Sequence, residues 1–178
     1  MKTLNRQKGE TNISHFLDLE PIATELGACL QQNGWYLVTA ESCTGGWIAQ
    51  AVTAIAGSSA WFDRGFVTYS NAAKQEMLDV RSDTLAKYGA VSEQTVLEMV
   101  NGALAQSHAQ VGIAISGIAG PSGGTIDKPV GTVWIAYAFP DKTDAQHFEA
   151  SKYCFSGNRY SIREQAVKTA LQTLSQKL

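Results

Sequence analysis

The chain has 178 residues, enough to bury one substantial core without disulfide or metal staples, so a single domain is expected. A hydrophobic fraction of 44% with only 17% charged residues excludes a disordered polymer. A formal charge of −2 without a Lys/Arg cluster excludes the electrostatic footprint of a nucleic-acid binder, while a small phosphorylated ligand, which needs only one or two cations and some backbone N–H donors, stays open.

Residues 1–14 are polar and aperiodic and read as an amino-terminal tail, with a single domain over 15–178. Leu19, Ile22, Leu26, Cys29 and Leu30 share one face at helical spacing, with Asp18 as the N-cap, Pro21 tolerated in the first turn and Gly34 as the stop. Residues 35–39 are β-branched and aromatic and read as a strand. That strand runs through Ala40-Glu41-Ser42-Cys43-Thr44-Gly45-Gly46 into an apolar helix over 47–55. Ligands of open α/β sheets bind at the carboxyl ends of strands, so this loop is the first place to look for chemistry.

A Gly57-Ser58-Ser59 break precedes a strand over 64–69 and a short helix over 71–78 that carries Lys74. Ser92 N-caps a further helix whose inward face holds Val96, Met99, Val100, Ala103 and Leu104. Residues 111–115 are continuously apolar, the mark of a central strand covered on both faces. The glycines of the following loop, 116–124, fit neither the Walker pattern nor the dinucleotide fingerprint. Strands over 132–139 and 146–155 come next, the second of mixed polarity and hence at an edge. A last helix aligns Ile162, Ala166, Ala170, Leu171, Leu174 and Leu178. These elements imply an α/β fold: a three-layer α/β/α sandwich on a mixed, mostly parallel sheet of about five strands.

Cys29, Cys43 and Cys154 are an odd number at unrelated spacings, which points to reduced thiols and a cytoplasmic protein. No apolar run approaches the ~20 residues that span a bilayer, and no secretory leader pattern opens the chain, so no membrane partner is expected. No zinc, calcium or HExxH spacing occurs, so neither a metal nor a cofactor is expected.

Ser42 stands where a strand gives way to a helix, and the unpaired N–H groups of such a helix start suit an oxyanion. Glycines at 45 and 46 let a carbonyl approach the backbone, although Ser42 or Thr44 as a simple helix cap fits the same residues. A serine nucleophile needs a base. His15, His108 and His147 are poorly placed for it, and Lys74 by its spacing reads as a solvated charge on a helix face. Tyr69 reads equally as a core aromatic with its hydroxyl at the rim, and Cys43 as a small buried side chain. Asn158 and Arg159, with Arg163 one turn on, combine a helix N-terminus with guanidinium donors and fit either a phosphate site or two surface arginines behind a cap.

Four motifs in order carry more than any of these singly: Thr39-Ala40-Glu41-Ser42-Cys43-Thr44-Gly45-Gly46, Gly57-Ser58-Ser59 with Gly65-Phe66-Val67-Thr68-Tyr69-Ser70-Asn71, Ser116-Gly117-Ile118-Ala119-Gly120-Pro121, and Lys128-Pro129-Val130-Gly131-Thr132-Val133. Over about 19–178 they resemble the CinA carboxy-terminal domain family, whose stand-alone members are nicotinamide-nucleotide amidases. The resemblance implies hydrolysis of nicotinamide mononucleotide to nicotinic acid mononucleotide and ammonia, in pyridine-nucleotide salvage. It also implies Ser42 as nucleophile and Lys74 as base; Tyr69, by its position, is expected to orient or relay the proton. Thr44, Gly45, Gly46 and Asn71, with Gly117, Ala119, Gly120 and Arg159, are the expected substrate contacts, the last four on the phosphate side. A homodimer is expected, without the amino-terminal domain that many family members carry. Two other readings keep the same residues: an amidase of another small amide, and a non-catalytic nucleotide-binding module in which Ser42 only caps a helix.

Overall fold

Gly34 ends the first helix, and the N–H of Trp35 turns back to the Leu30 carbonyl, so the chain leaves the helix directly into the sheet. A computed structural model describes residues 19–178. The expected tail, His15 and the Asp18 cap lie outside the described residues. In chain order the elements are α1 (Glu20–Asn33), β1 (Leu37–Glu41), α2 (Trp47–Thr53), a 3-10 turn (Ser58–Ala60), β2 (Phe62–Val67) and α3 (Asn71–Leu78). Then follow α4 (Ser82–Tyr88), α5 (Glu93–Ala105), β3 (Val111–Gly117), β4 (Thr132–Pro140), β5 (Gln146–Cys154) and α6 (Arg159–Lys177).

The strands form one sheet in the order β2-β1-β3-β4-β5. β1 runs parallel to both β2 and β3, β4 is antiparallel to β3, and β5 is antiparallel to β4. Only β4 therefore opposes the common direction, in agreement with the mixed, mostly parallel sheet expected. β3 is the central strand and β5 an edge, as their polarity foretold.

Alternation along the strands divides the core in two. Leu37, Ile113, Ile115, Val133, Ile135 and Tyr137 face α1, α2 and α6, where Leu26, Leu30, Ile48, Val52, Ile162 and Leu171 are buried against them. The opposite face is built from smaller residues, Val38, Ala40, Ala114, Ala136 and Ala138, on which Val96, Met99 and Val100 of α5 lie, with Leu78 of α3 and Leu85 beyond. Short side chains there let α5 pack close to the middle of the sheet.

Several boundaries differ from expectation. β1 begins and ends two residues later than the 35–39 segment, because Ala40 and Glu41 still pair with Phe66 and Val67 on one side and Ala114 and Ile115 on the other. β2 covers 62–67 in place of 64–69, which frees Thr68 and Tyr69 to form the turn into α3. α4 was not foreseen.

Candidate active site

The loop after β1 takes its shape from two left-handed residues, Gly45 at φ 63° and Gly46 at φ 92°, a backbone that other residues rarely adopt. The N–H of Ser42 donates to the Ile115 carbonyl at 3.0 Å, which anchors the serine between β1 and β3. Across the loop, Ser70 caps α3 by accepting from the Ala73 N–H at 3.0 Å, so Lys74 lies one turn into that helix.

Lys74 is 1% exposed and turns inward, contrary to the solvated face that its spacing alone favoured. Its Nζ lies 3.0 Å from Ser42 Oγ and donates to the Thr68 carbonyl at 2.8 Å. Burial holds the ammonium below the ordinary lysine range, against a smaller opposing influence from Cys43. Cys43 is buried beside the serine, and the same burial pushes its thiol up to about 12, which leaves it un-ionised at neutral pH.

Ser42 and Lys74 open on a cleft of about 250 Å³ that Tyr69, Asn71, Gly117, Ala119 and Arg159 also line. Gly120 stands behind this wall and presents its carbonyl to Arg159 Nη1 at 2.9 Å. Arg159 Nη2 donates to the Tyr69 hydroxyl at 2.7 Å, so that hydroxyl is joined to the guanidinium at the rim. Sequence reasoning missed Ala90 and Val91 on one wall and Ser116 at the end of β3. The first two sit in an unmotivated turn, while Ser116 belongs to a motif that was read only for its glycines.

The glycine pair is placed differently from expectation. The N–H of Gly45 donates to the Ser42 carbonyl at 3.1 Å, and that of Gly46 to Glu41 Oε2 at 3.1 Å. Glu41, 1% exposed, also accepts from Ile48 at 3.0 Å and Ala49 at 2.8 Å, so its carboxylate occupies the anion site at the start of α2. Thr44 is fully buried and does not line the cleft, and Gly45 and Gly46 line a separate hollow with Gln50 and Arg163. Of the loop 42–46, the N–H of Thr44 has no acceptor among the described residues, while that of Cys43 lies against its own thiol. A carboxylate at a strand end, six residues before the start of a helix, was the sequence signal for this arrangement.

Arg163 is likewise committed to the loop: Nε donates to the Cys43 carbonyl at 3.1 Å and Nη2 to the Thr44 carbonyl at 2.6 Å. Among the described residues no three of His, Cys, Asp or Glu are grouped as metal ligands, and no helix is long and apolar enough to cross a membrane.

The CinA C-terminal domain model matches residues 19–178. The chain is 55% identical to the nicotinamide-nucleotide amidohydrolase PncC of Enterobacter agglomerans, over 87% of this chain and 92% of that one. It is 53% identical to the protein of the same name from Escherichia coli K12, over 89% and 94%. Among solved structures, the competence damage-inducible protein A (ComA) of Klebsiella pneumoniae superimposes with a TM-score of 0.84 at 43% identity, over 89% of this chain and 96% of that one. With the family model spanning every described residue and close relatives matching nearly end to end, the chain belongs to the CinA C-terminal domain family.

Proposed function

We propose that this protein hydrolyses the carboxamide of nicotinamide mononucleotide, giving nicotinic acid mononucleotide and ammonia, with Ser42 as nucleophile and Lys74 as its base. The observation that carries the mechanism is a buried lysine amine 3.0 Å from the serine hydroxyl, in a chain more than half identical to proteins named for this reaction. A neutral Lys74 donates to the Thr68 carbonyl and turns its lone pair toward Ser42. As Oγ bonds to the carboxamide carbon, the serine proton passes to Nζ. The carbon–nitrogen bond then breaks, that proton leaves with ammonia, and an acyl-enzyme remains. Water adds to the acyl carbon as Lys74 takes its proton; the carbon–Oγ bond then breaks, that proton passes from Lys74 to Oγ, and the free acid leaves with Ser42 and the neutral amine restored.

Negative charge develops on the carbonyl oxygen, and the N–H of Thr44, with that of Cys43 beside it, is the donor we assign to it. The expected role of the Gly45 and Gly46 N–H groups lapses, because those donors are already engaged. Arg159 begins the 19-residue α6 at the rim of the cleft, and its spare guanidinium donors, together with the helix start, supply a site for the ribose phosphate. Tyr69 steadies that guanidinium. The reading takes the enzyme to be a cytoplasmic homodimer that works with protein side chains alone.

Ammonia release from nicotinamide mononucleotide by the purified chain tests it, beside Ser42→Ala and Lys74→Ala variants of verified fold. Loss in each variant by roughly 10³-fold or more is expected of groups that act as one unit. Equal turnover of free nicotinamide would favour an amidase of another small amide. Nucleotide binding without ammonia release, unchanged in Ser42→Ala, would favour a regulatory module.

A further inference from the structure

The two arginines of α6 stand one turn apart, and in sequence they fit either a phosphate site or two surface charges behind a cap. Their surroundings differ. Arg159 lines the cleft with Ser42, whereas Arg163 lies outside it, over the ring of Trp47 at 5.2 Å and against the far side of the nucleophile loop. Its guanidinium donates to two successive loop carbonyls, those of Cys43 and Thr44.

A trans peptide points its N–H away from its own carbonyl. Because Arg163 grips the Cys43 carbonyl, the N–H of Thr44 in the same peptide is directed to the opposite side of the loop. The Ser42 carbonyl is held in turn by the Gly45 N–H, which turns the N–H of Cys43 away from Gly45. A cation on a peptide carbonyl also draws charge out of that amide and makes its N–H a stronger donor. Glu41 completes the frame by tying down the N–H groups of Gly46, Ile48 and Ala49, so both ends of the loop are fixed.

We infer that Arg163 is a positioning residue for the oxyanion donors, acting through the Cys43–Thr44 peptide from behind, and is not a ligand of the substrate phosphate. This rests on the amidase reading above for its substrate, but the geometry concerns any tetrahedral intermediate formed at Ser42.

The test compares wild type, Arg163→Met and Arg163→Lys on nicotinamide mononucleotide and on its unphosphorylated riboside. A positioning role lowers kcat for both substrates by the same factor, about tenfold to a hundredfold in Arg163→Met, with KM changed by less than about threefold. Arg163→Lys, which keeps the charge and can reach one carbonyl, recovers part of the loss on both. A defect confined to the phosphorylated substrate and carried by KM overturns the inference, as does wild-type kcat in Arg163→Lys.

A second readout does not need the amidase reaction. A small aryl phosphonofluoridate forms a phosphorus–oxygen bond to Ser42 as fluoride departs and the serine proton passes to Lys74, with its phosphoryl oxygen seated as the oxyanion. Intact-mass measurement of this labelling is expected to be about tenfold or more slower in Arg163→Met. Equal labelling rates, or no labelling of wild-type Ser42, overturn the inference. Labelling of wild-type Ser42 without ammonia release overturns only the amidase reading.

Discussion

Lys74 has an amine buried among a hydroxyl and a backbone carbonyl, and that burial sets both its chemistry and its cost. With its pKa lowered, the folded chain binds fewer protons than the unfolded chain between the lowered value and the ordinary lysine value of about 10.4. The unfolded state binds more protons across that window, so stability contributed at this site rises with pH through it and levels off above the ordinary value. Urea unfolding of wild type and Lys74→Met should therefore diverge as pH rises toward the ordinary lysine value, wild type gaining relative to the variant; a difference that stays flat would mean that the pKa of the amine is not lowered. The same ionisation governs the proposed base, and kcat/KM should climb with pH along a limb that lies below the usual lysine range. None of this was legible in the spacing, since a lysine four residues into a short polar helix looks solvated. Its burial depends on Ser42 and Thr68 arriving from elsewhere in the chain, and only the ordered motifs marked it out. Ser42 itself was legible because strand, glycine pair and helix are consecutive.

At the level of elements, the base is as well placed as the helix that carries it. α3 is capped locally by Ser70 and braced by α5, where Gly102 meets the Leu78 carbonyl so closely that an added Cβ would stand 2.0 Å from that oxygen. Alanine is the better helix former by roughly 0.5–1 kcal/mol, yet here backbone would have to move to admit it. Gly102→Ala is expected to lose about 1–3 kcal/mol in urea unfolding and to depress turnover by displacing α3, whereas Ala at the exposed neighbour Asn101 should stay within about 0.5 kcal/mol. Wild-type stability in Gly102→Ala would show that the two helices separate freely. Caps were legible because they are local: Ser92 accepts from the Thr95 N–H, and Asn158 from the Ser161 N–H. Strand ends were not, because β1 and β2 stop where their neighbours stop pairing. α4 escaped notice because only Thr84 and Leu85 of its seven residues are buried, too few to give a period.

For the whole molecule, the decisive feature is where the sheet changes direction of growth. From β1 the chain adds β2 on one side and then returns to place β3 on the other, so the crevice between the carboxyl ends of β1 and β3 is a topological switch point. Ser42 follows β1, and Ser116, Gly117 and Ala119 follow or end β3, which explains how two motifs distant in sequence come to line one cleft. α6 begins at that cleft and delivers Arg159 from its first turn, bonded to the Gly120 carbonyl of the β3 loop. Strand order is set by long-range pairing that no local pattern encodes, and this is why the sequence indicated the parts of the site without their juxtaposition. If the crevice holds the nucleotide with its phosphate at Arg159, binding must stabilise the fold. A Ser42→Ala chain, unable to form the acyl-enzyme, should gain about 2.7 kcal/mol at a hundredfold excess of nicotinamide mononucleotide over Kd, a rise of about 5 °C or more in Tm. Adding Arg159→Ala should abolish most of that rise, and the unphosphorylated riboside should give little of it even with Arg159 present. An undiminished shift in the double variant would move the phosphate away from α6 and leave the guanidinium with only its structural bonds to Tyr69 and Gly120.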